Sequence, residues 1–166
     1  MKPRYLLYLL PLIALAAFSA YEGQKPEEIT WYSMQEAQEL AVENDKKVLV
    51  YAEAVWCTYC KKMENEVFPR QEVIDSLARY YYPVRVDIES DKKLVFDEET
   101  RTGSQFARKD RVQGTPTFFF IDKNGQILGA QPGFIPHDVF TNLLAFVGSD
   151  AHERVSFDEY TGENKN

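Results

Sequence analysis

The chain has 166 residues, a formal net charge of −7 and an apolar content of 45%, including 11 Phe and 10 Tyr. This length and composition predict one domain with a single buried core. The acidic balance excludes a typical nucleic-acid-binding protein, which needs a basic patch or stripe.

Residues 1–20 have the outline of a secretory signal peptide. Lys2 and Arg4 form a positive start, an apolar run covers 5–18, and two small residues follow. The run is short for a spanning helix, which needs about 20 residues, and an uncleaved N-terminal membrane anchor is the alternative. Both forms predict a periplasmic or otherwise exported protein in an oxidising compartment.

The next segment predicts a lead-in, a capped helix and a strand. Residues 21–30 are polar and contain Gly and Pro, which indicates an exposed lead-in to a domain spanning 31–148. Ser33 and Glu36 are spaced as a capping box at the start of a helix. The nearly continuous apolar segment 48–54 predicts a central strand covered on both faces.

Cys57 and Cys60 are the only cysteines, and they lie where this strand gives way to a helical pattern. Unpaired N–H groups at a helix N-terminus stabilise a thiolate. A second cysteine one turn later can form or release a disulfide with the first, which is thiol–disulfide exchange. A closed zinc site needs two further ligands, and His137 and His152 lie far along the chain, so we predict no metal and no other cofactor.

The remaining patterns alternate between helices and strands. We predict, in order, helix 72–82, strand 83–89, helix 104–111, strand 117–121, strand 126–130 and helix 136–147. Residues 89–104 are charged and lack a clear period, which indicates a surface insertion, and 149–166 form a polar C-terminal tail. This order predicts an α/β fold with a central mixed sheet and helices on both faces.

The motifs resemble the thioredoxin superfamily over roughly residues 31–148. The resemblance rests on Trp56-Cys57-x-x-Cys60-Lys61 after a strand and on Gly114-Thr115-Pro116-Thr117 before a Phe-rich strand. Segment 60–68 is similar to the redox helix in the C-terminal domain of the DsbD membrane reductase. The acidic insertion and the tail are similar to SoxW-type periplasmic thioredoxins.

The resemblance implies a role for each residue of the site. Cys57 is expected to be the exposed nucleophile, with Cys60 buried behind it as the resolving thiol. Pro116 is expected to be a cis-proline that presents the backbone of Thr115 to an extended substrate chain. Tyr59 either offers an aromatic surface to the partner or only covers the helix.

One position departs from the family pattern. Thioredoxin carries a buried Asp six residues before the first cysteine, and this chain has Tyr51 there. Glu53 and Glu64 are candidate substitutes, and the hypothesis is that Glu64 has a raised pKa and tunes Cys60. The alternative is that Glu64 is an ordinary surface carboxylate.

The expected function is an exported disulfide reductase. It would be monomeric, would receive electrons from a membrane thiol–disulfide donor, and would pass them to protein disulfides. Without a histidine between the cysteines, we expect a potential of about −270 to −180 mV. The alternatives are a disulfide oxidase or isomerase, and a non-catalytic binding module with the same fold.

Overall fold

A computed structural model of the protein describes residues 28–162. The predicted leader 1–20, most of the predicted lead-in 21–30, and the last four residues of the tail lie outside the described residues. Within 28–162, no helix combines the length and the apolar character needed to cross a bilayer.

The described chain begins with a helix, alternates helices and strands, and ends with a short helix. The first half contains α1 (Met34–Asn44), β1 (Lys47–Glu53), α2 (Thr58–Lys62), a π-helical turn (Met63–Val67), α3 (Gln71–Tyr80) and β2 (Tyr81–Asp87). The second half contains β3 (Lys93–Phe96), β4 (Glu99–Thr102), α4 (Gly103–Lys109), β5 (Thr117–Ile121), β6 (Ile127–Pro132), α5 (His137–Gly148), a 3₁₀ turn (Ala151–Glu153) and α6 (Phe157–Thr161).

Four strands form the main sheet in the order β2-β1-β5-β6. β1 pairs parallel with β2 and antiparallel with β5, and β5 pairs antiparallel with β6. The middle five residues of β1 and all of β5 are buried, as expected for central strands covered on both faces. The predicted mixed sheet with flanking helices is confirmed.

Side chains that alternate along β1 and β5 divide the core between the two faces of the sheet. Leu49, Tyr51, Phe118 and Phe120 point to the face covered by α2, the π-helical turn, α3 and α5. The intervening residues of both strands point to the face covered by α1 and α4. Both cysteines belong to the first of these clusters.

The sequence predicts a surface insertion at 89–104 but not the two strands that the structure has there. This segment contains the antiparallel hairpin β3–β4, and α4 begins at its end. Phe96 is buried against Phe106, and the buried Arg101 guanidinium bonds Glu99 and Asp110. The charges that obscured the sequence pattern are therefore partly internal, and they pair with each other.

Several boundaries differ from the sequence-based prediction. β2 starts at Tyr81 rather than residue 83, since Tyr81 is buried under α5 and donates a hydrogen bond to the Leu144 carbonyl. The C-terminal residues are folded as far as 162, because α6 packs Phe157 and Tyr160 on Phe146, each at a ring distance of 5.3 Å.

Candidate functional site

The two cysteines lie at the start of α2, just after the end of β1, and they form a disulfide. Cys57 is the N-cap of α2, and its Sγ accepts a hydrogen bond from the Cys60 backbone N–H at 3.0 Å. The Cα atoms lie 5.2 Å apart, within the usual range for a disulfide. This N–H group and the helix dipole favour negative charge on Cys57 sulfur once the bond is reduced.

Both cysteines are recessed in the disulfide form. Cys57 is 3% exposed and Cys60 is 2% exposed, so the expected difference in exposure between them is not found. The disulfide and the bond from the Cys60 N–H turn the Cys57 side chain inward toward its partner. A reacting partner therefore has to reach into the surface to touch the Cys57 sulfur.

Three exposed apolar residues lie next to the cysteines in the chain, and we call them the apolar rim: Val55, Trp56 and Tyr59. These side chains are 73%, 62% and 59% exposed, respectively. Large exposed apolar side chains grouped at one place mark interaction sites more often than scattered ones do. Sequence reasoning included Trp56 and Tyr59 in the site but missed Val55.

The loop after β6 lies alongside α2. Phe134 packs 6.4 Å from the Tyr59 ring, and the Lys62 ammonium lies 4.3 Å from the Phe134 ring centre. Deeper in the core, the Ile135 N–H points at the Met63 sulfur at 3.5 Å. The loop thus extends the apolar rim on one side and places a positive charge there.

Thr115 and Pro116 lie at the same edge of the sheet as the disulfide. Their peptide bond is cis, and the next residue, Thr117, pairs with Ala52 near the end of β1. The Pro116 carbonyl accepts a hydrogen bond from the Gly133 N–H at 2.8 Å. The Thr115 hydroxyl oxygen is buried and has no hydrogen-bond partner among residues 28–162.

Tyr51 lies beneath Cys60. Its hydroxyl donates a hydrogen bond to the Cys60 carbonyl at 3.3 Å, and its ring stacks on Phe118. Burial raises the pKa of Tyr51 above its ordinary value, and the nearby Glu64 charge adds to the effect. This residue therefore supports the redox helix as a neutral hydrogen-bond donor and does not exchange protons at neutral pH.

Glu64 is paired with a cation. Its carboxylate bonds the Arg85 guanidinium at 3.1 Å. The same guanidinium lies 4.9 Å from the ring centre of Trp31 and 5.6 Å from that of Tyr51. Sequence reasoning missed Arg85, since a single Arg in an alternating strand gives no signal of its spatial neighbours.

Glu53 is half-buried at the end of β1 and faces Asp87 directly across the strand pair. Burial raises its pKa, the Arg85 charge opposes this, and the charges of Asp87 and Glu64 add to it. Its carboxylate makes no hydrogen bond or ion pair with other residues in the described range.

One group of side chains has the composition of a metal site. Ligand atoms of Asp150, His152 and Glu153 lie within 4.8 Å of one another. Asp150 is bound to the Lys47 ammonium at 2.7 Å, however, which places a competing cation at the group. Lys47 begins β1 and the disulfide follows its end, so the group lies at the opposite edge of the sheet.

Comparisons with known proteins place this geometry in a family. A family model described as a thioredoxin-like domain matches residues 34–148. Among solved structures, a thioredoxin-fold protein from Helicobacter pylori superposes with a TM-score of 0.62 at 26% identity, covering 72% of this chain and 80% of that one.

Two curated relatives carry names that describe disulfide chemistry. The disulfide bond reductase DsbH of Chlamydia pneumoniae is 28% identical over 109 residues, which cover 65% of this chain and 64% of DsbH. The thiol:disulfide interchange protein DsbD of Pseudoalteromonas atlantica is 31% identical over 107 residues, covering 62% of this chain and 17% of DsbD. The match thus spans less than two thirds of either relative. The family model covers most of the described chain, so the chain belongs to the thioredoxin-like domain family. With its Cys57–Cys60 pair placed for exchange, the chain is a thiol–disulfide oxidoreductase.

Proposed function

We propose that this thiol–disulfide oxidoreductase works as a reductase of disulfides in exported proteins. The observation that carries the proposal is the Cys57 sulfur at a helix N-terminus, receiving the Cys60 N–H inside an exposed apolar rim. The similarity to a protein named disulfide bond reductase supports this direction of electron flow. The absence of a histidine between the cysteines also supports it, because no cation there stabilises the reduced thiolate.

The reaction begins with the reduced pair. The Cys57 thiolate attacks one sulfur of the partner disulfide, forms a mixed disulfide, and releases the other partner sulfur as a thiolate. Cys60 then loses its proton and attacks the Cys57 sulfur. The Cys57–Cys60 bond forms, the second partner sulfur leaves, and two electrons have passed to the partner.

The partner chain would lie between the apolar rim and the Thr115–Pro116 peptide. The rim would supply apolar contact, and the backbone of Thr115 would pair with an extended segment as a strand does. Candidate electron acceptors are cytochrome c apoproteins and a sulfur-carrier protein, in keeping with the resemblance to the DsbD reductase and to SoxW-type thioredoxins. We expect the enzyme to act as a monomer.

The location and the electron donor follow from the predicted leader. Residues 1–20 would carry the enzyme out of the cytoplasm, either as a cleaved signal or as a membrane anchor. The donor would then be a membrane thiol–disulfide protein, because the enzyme has to be reduced again in an oxidising compartment.

Trapping of the mixed disulfide tests this function. Cys60→Ser removes the resolving thiol, so the variant should accumulate covalent complexes with exported proteins. Dithiothreitol should reduce the mixed disulfide and separate these complexes. Cys57→Ser, the matched control, should trap none. If neither variant captures a protein, or if Cys57→Ser cells behave as wild type, the reductase proposal fails and the alternative of a non-catalytic binding module holds.

The direction of electron flow has a separate measurement. The reduction potential, determined by equilibration with glutathione and with thioredoxin, should fall between about −270 and −180 mV. A potential of about −120 mV, which is typical of a strong oxidant, would mean that electrons flow from the partner to the enzyme.

A further inference from the structure

Two side chains of α2 contact one aromatic ring in the loop after β6. Tyr59 and Lys62 are three residues apart on α2, and side chains at this spacing are neighbours on a helix surface. The Tyr59 and Phe134 ring centres lie 6.4 Å apart, and the Lys62 ammonium lies 4.3 Å from the Phe134 ring centre. We call these three side chains the Phe134 cluster. It is continuous with the apolar rim, because Tyr59 belongs to both.

The Phe134 cluster lies beside the disulfide. Tyr59 stands between the two cysteines in the chain, and its side chain is exposed. Phe134 follows Gly133, whose N–H donates to the Pro116 carbonyl, so the loop is also bonded to the segment with the cis peptide. A partner segment that reaches Cys57 between the apolar rim and the cis peptide would therefore contact the cluster.

The Lys62 ammonium is held in place but is not neutralised. An ammonium over the face of an aromatic ring is attracted to the ring. The Glu66 carboxylate lies 3.8 Å from this ammonium, which is longer than a hydrogen bond, and both side chains are exposed. An exposed pair of this kind contributes little. Because the ammonium has three N–H donors, it can still bind an incoming carboxylate.

The local charge favours an acidic partner at this place. Lys61 is exposed next to Lys62, and both lie in the last turn of α2. The next acidic side chain along the chain, Glu64, already bonds the Arg85 guanidinium. The whole chain has a net charge of −7, but solvent screens exposed charges beyond about 8 Å at physiological ionic strength. The α2 cations therefore act on a docked segment more strongly than distant carboxylates do.

We propose that Lys62 is a specificity-determining residue that selects disulfides flanked by an acidic side chain. The inference rests on the proposed function and names its substrate class, extended segments in which Asp or Glu lies close to the attacked cysteine. The substrate carboxylate pairs with the Lys62 ammonium while apolar parts of the segment lie on the Tyr59 and Phe134 rings. The exchange itself is unchanged, since the enzyme dithiol is oxidised and the substrate disulfide is reduced by the same two electrons.

Reduction of matched peptides by the full chain tests the inference. Three short disulfide-bridged peptides differ only in the residues flanking one cysteine, which are Glu, Gln or Lys. The second-order rate constant for the Glu peptide should exceed that for the Gln peptide by about two- to fivefold, the range for one exposed ion pair. The Lys peptide should be the slowest. Each rate constant is divided by that for dithiothreitol, because flanking charges also change the intrinsic reactivity of a disulfide.

Charge-changing variants separate a contact at Lys62 from a general effect of charge. Lys62→Gln should lower the ratio of the Glu to the Gln rate constant to about one, and Lys62→Arg should keep the wild-type ratio. The matched control is Arg79→Gln, which should also keep it. Arg79 lies 5.2 Å from the Tyr80 ring centre, but at the end of α3, next to the start of β2 and at the sheet edge opposite the disulfide. In 1 M salt, where the screening length is about 3 Å, the wild-type ratio should also approach one.

Two kinds of failure are distinguishable. If the wild-type enzyme reduces the three peptides at equal normalised rates, or if the preference persists in Lys62→Gln, the inference is wrong although the enzyme is a reductase. If the wild-type dithiol reduces none of the peptides, the proposed function itself fails.

Discussion

At the scale of single residues, the site has a neutral group, Tyr51, at the position where thioredoxin carries an acid. Tyr51 is buried, and its hydroxyl is used to hold the Cys60 carbonyl. Negative charge lies instead at the margin of the site, where Glu64 bonds the Arg85 guanidinium and the same cation opposes the rise in the pKa of Glu53. The hydrogen bond to the redox helix and the negative charge near it thus come from different side chains.

Tyr51→Phe separates these two tasks. The variant loses one buried hydrogen bond, so its free energy of unfolding should fall by about 1 kcal/mol in urea titrations. Tyr81→Phe is the control, since its hydroxyl donates to Leu144 away from the disulfide. Both variants should lose similar stability, but only Tyr51→Phe should slow exchange with a protein disulfide. Equal exchange rates would show that the Tyr51 hydroxyl has no role in placing Cys60.

Stability should also depend on Glu53 in a pH-sensitive way. Its pKa is raised in the folded protein, so its favourable contribution is present below the unfolded pKa of about 4.3 and is lost as the pH rises through the folded value. Glu53→Gln should therefore be more stable than wild type at pH 7, and the difference should shrink toward pH 4. Urea unfolding at both values measures it. A variant that is less stable at pH 7 would mean that attraction to Arg85 outweighs burial.

At the scale of elements, the start of α4 makes a close backbone approach to the end of β2. A Cβ atom on Gly103 would collide with the Asp87 carbonyl oxygen, and it would also lie 3.2 Å from the Ser90 carbonyl oxygen. The first turn of α4 therefore lies against the end of β2. This end of β2 also borders Glu53, so the hairpin and the redox site share a boundary.

Gly103→Ala should disturb this boundary. Relief of the collision requires a backbone shift, and we expect a loss of about 1–3 kcal/mol in the free energy of unfolding. Gly129→Ala in β6 is the control, because a Cβ there meets nothing within 4 Å. A Gly103→Ala variant as stable as Gly129→Ala would show that α4 can move away from β2 without cost.

The elements differ in how well their sequences predict them. β1 and β5 are continuous apolar runs, so burial on both faces is visible in the sequence. The hairpin strand Lys93–Phe96 is short and is flanked by charges, and its pairing with β4 depends on contacts that have no local signal. The cysteine spacing predicts the disulfide, whereas the role of Arg85 depends on three elements meeting in space.

At the scale of the whole molecule, the disulfide and the contacts of the C-terminal residues lie at opposite edges of the sheet. The disulfide follows the end of β1, while Lys47 at its start bonds the Gly148 carbonyl and Asp150. The C-terminal residues continue from there into α6, whose Phe157 and Tyr160 cover Phe146. The tail thus closes the core at the edge of the sheet opposite the reactive sulfurs.

Phe157→Ala should separate stability from catalysis. Loss of a half-buried ring should lower the free energy of unfolding by about 1–2 kcal/mol, below the cost for a fully buried Phe. The rate of insulin disulfide reduction should stay at the wild-type value. Asp158→Ala, an exposed neighbour on α6, is the control for stability. A slower reduction rate in Phe157→Ala would connect the tail to the active edge.

The recess around Cys57 has a consequence for the choice of substrate. Because the Cys57 sulfur lies below the protein surface, we expect a disulfide on a narrow, protruding segment of chain to reach it more readily than one flush with a flat surface.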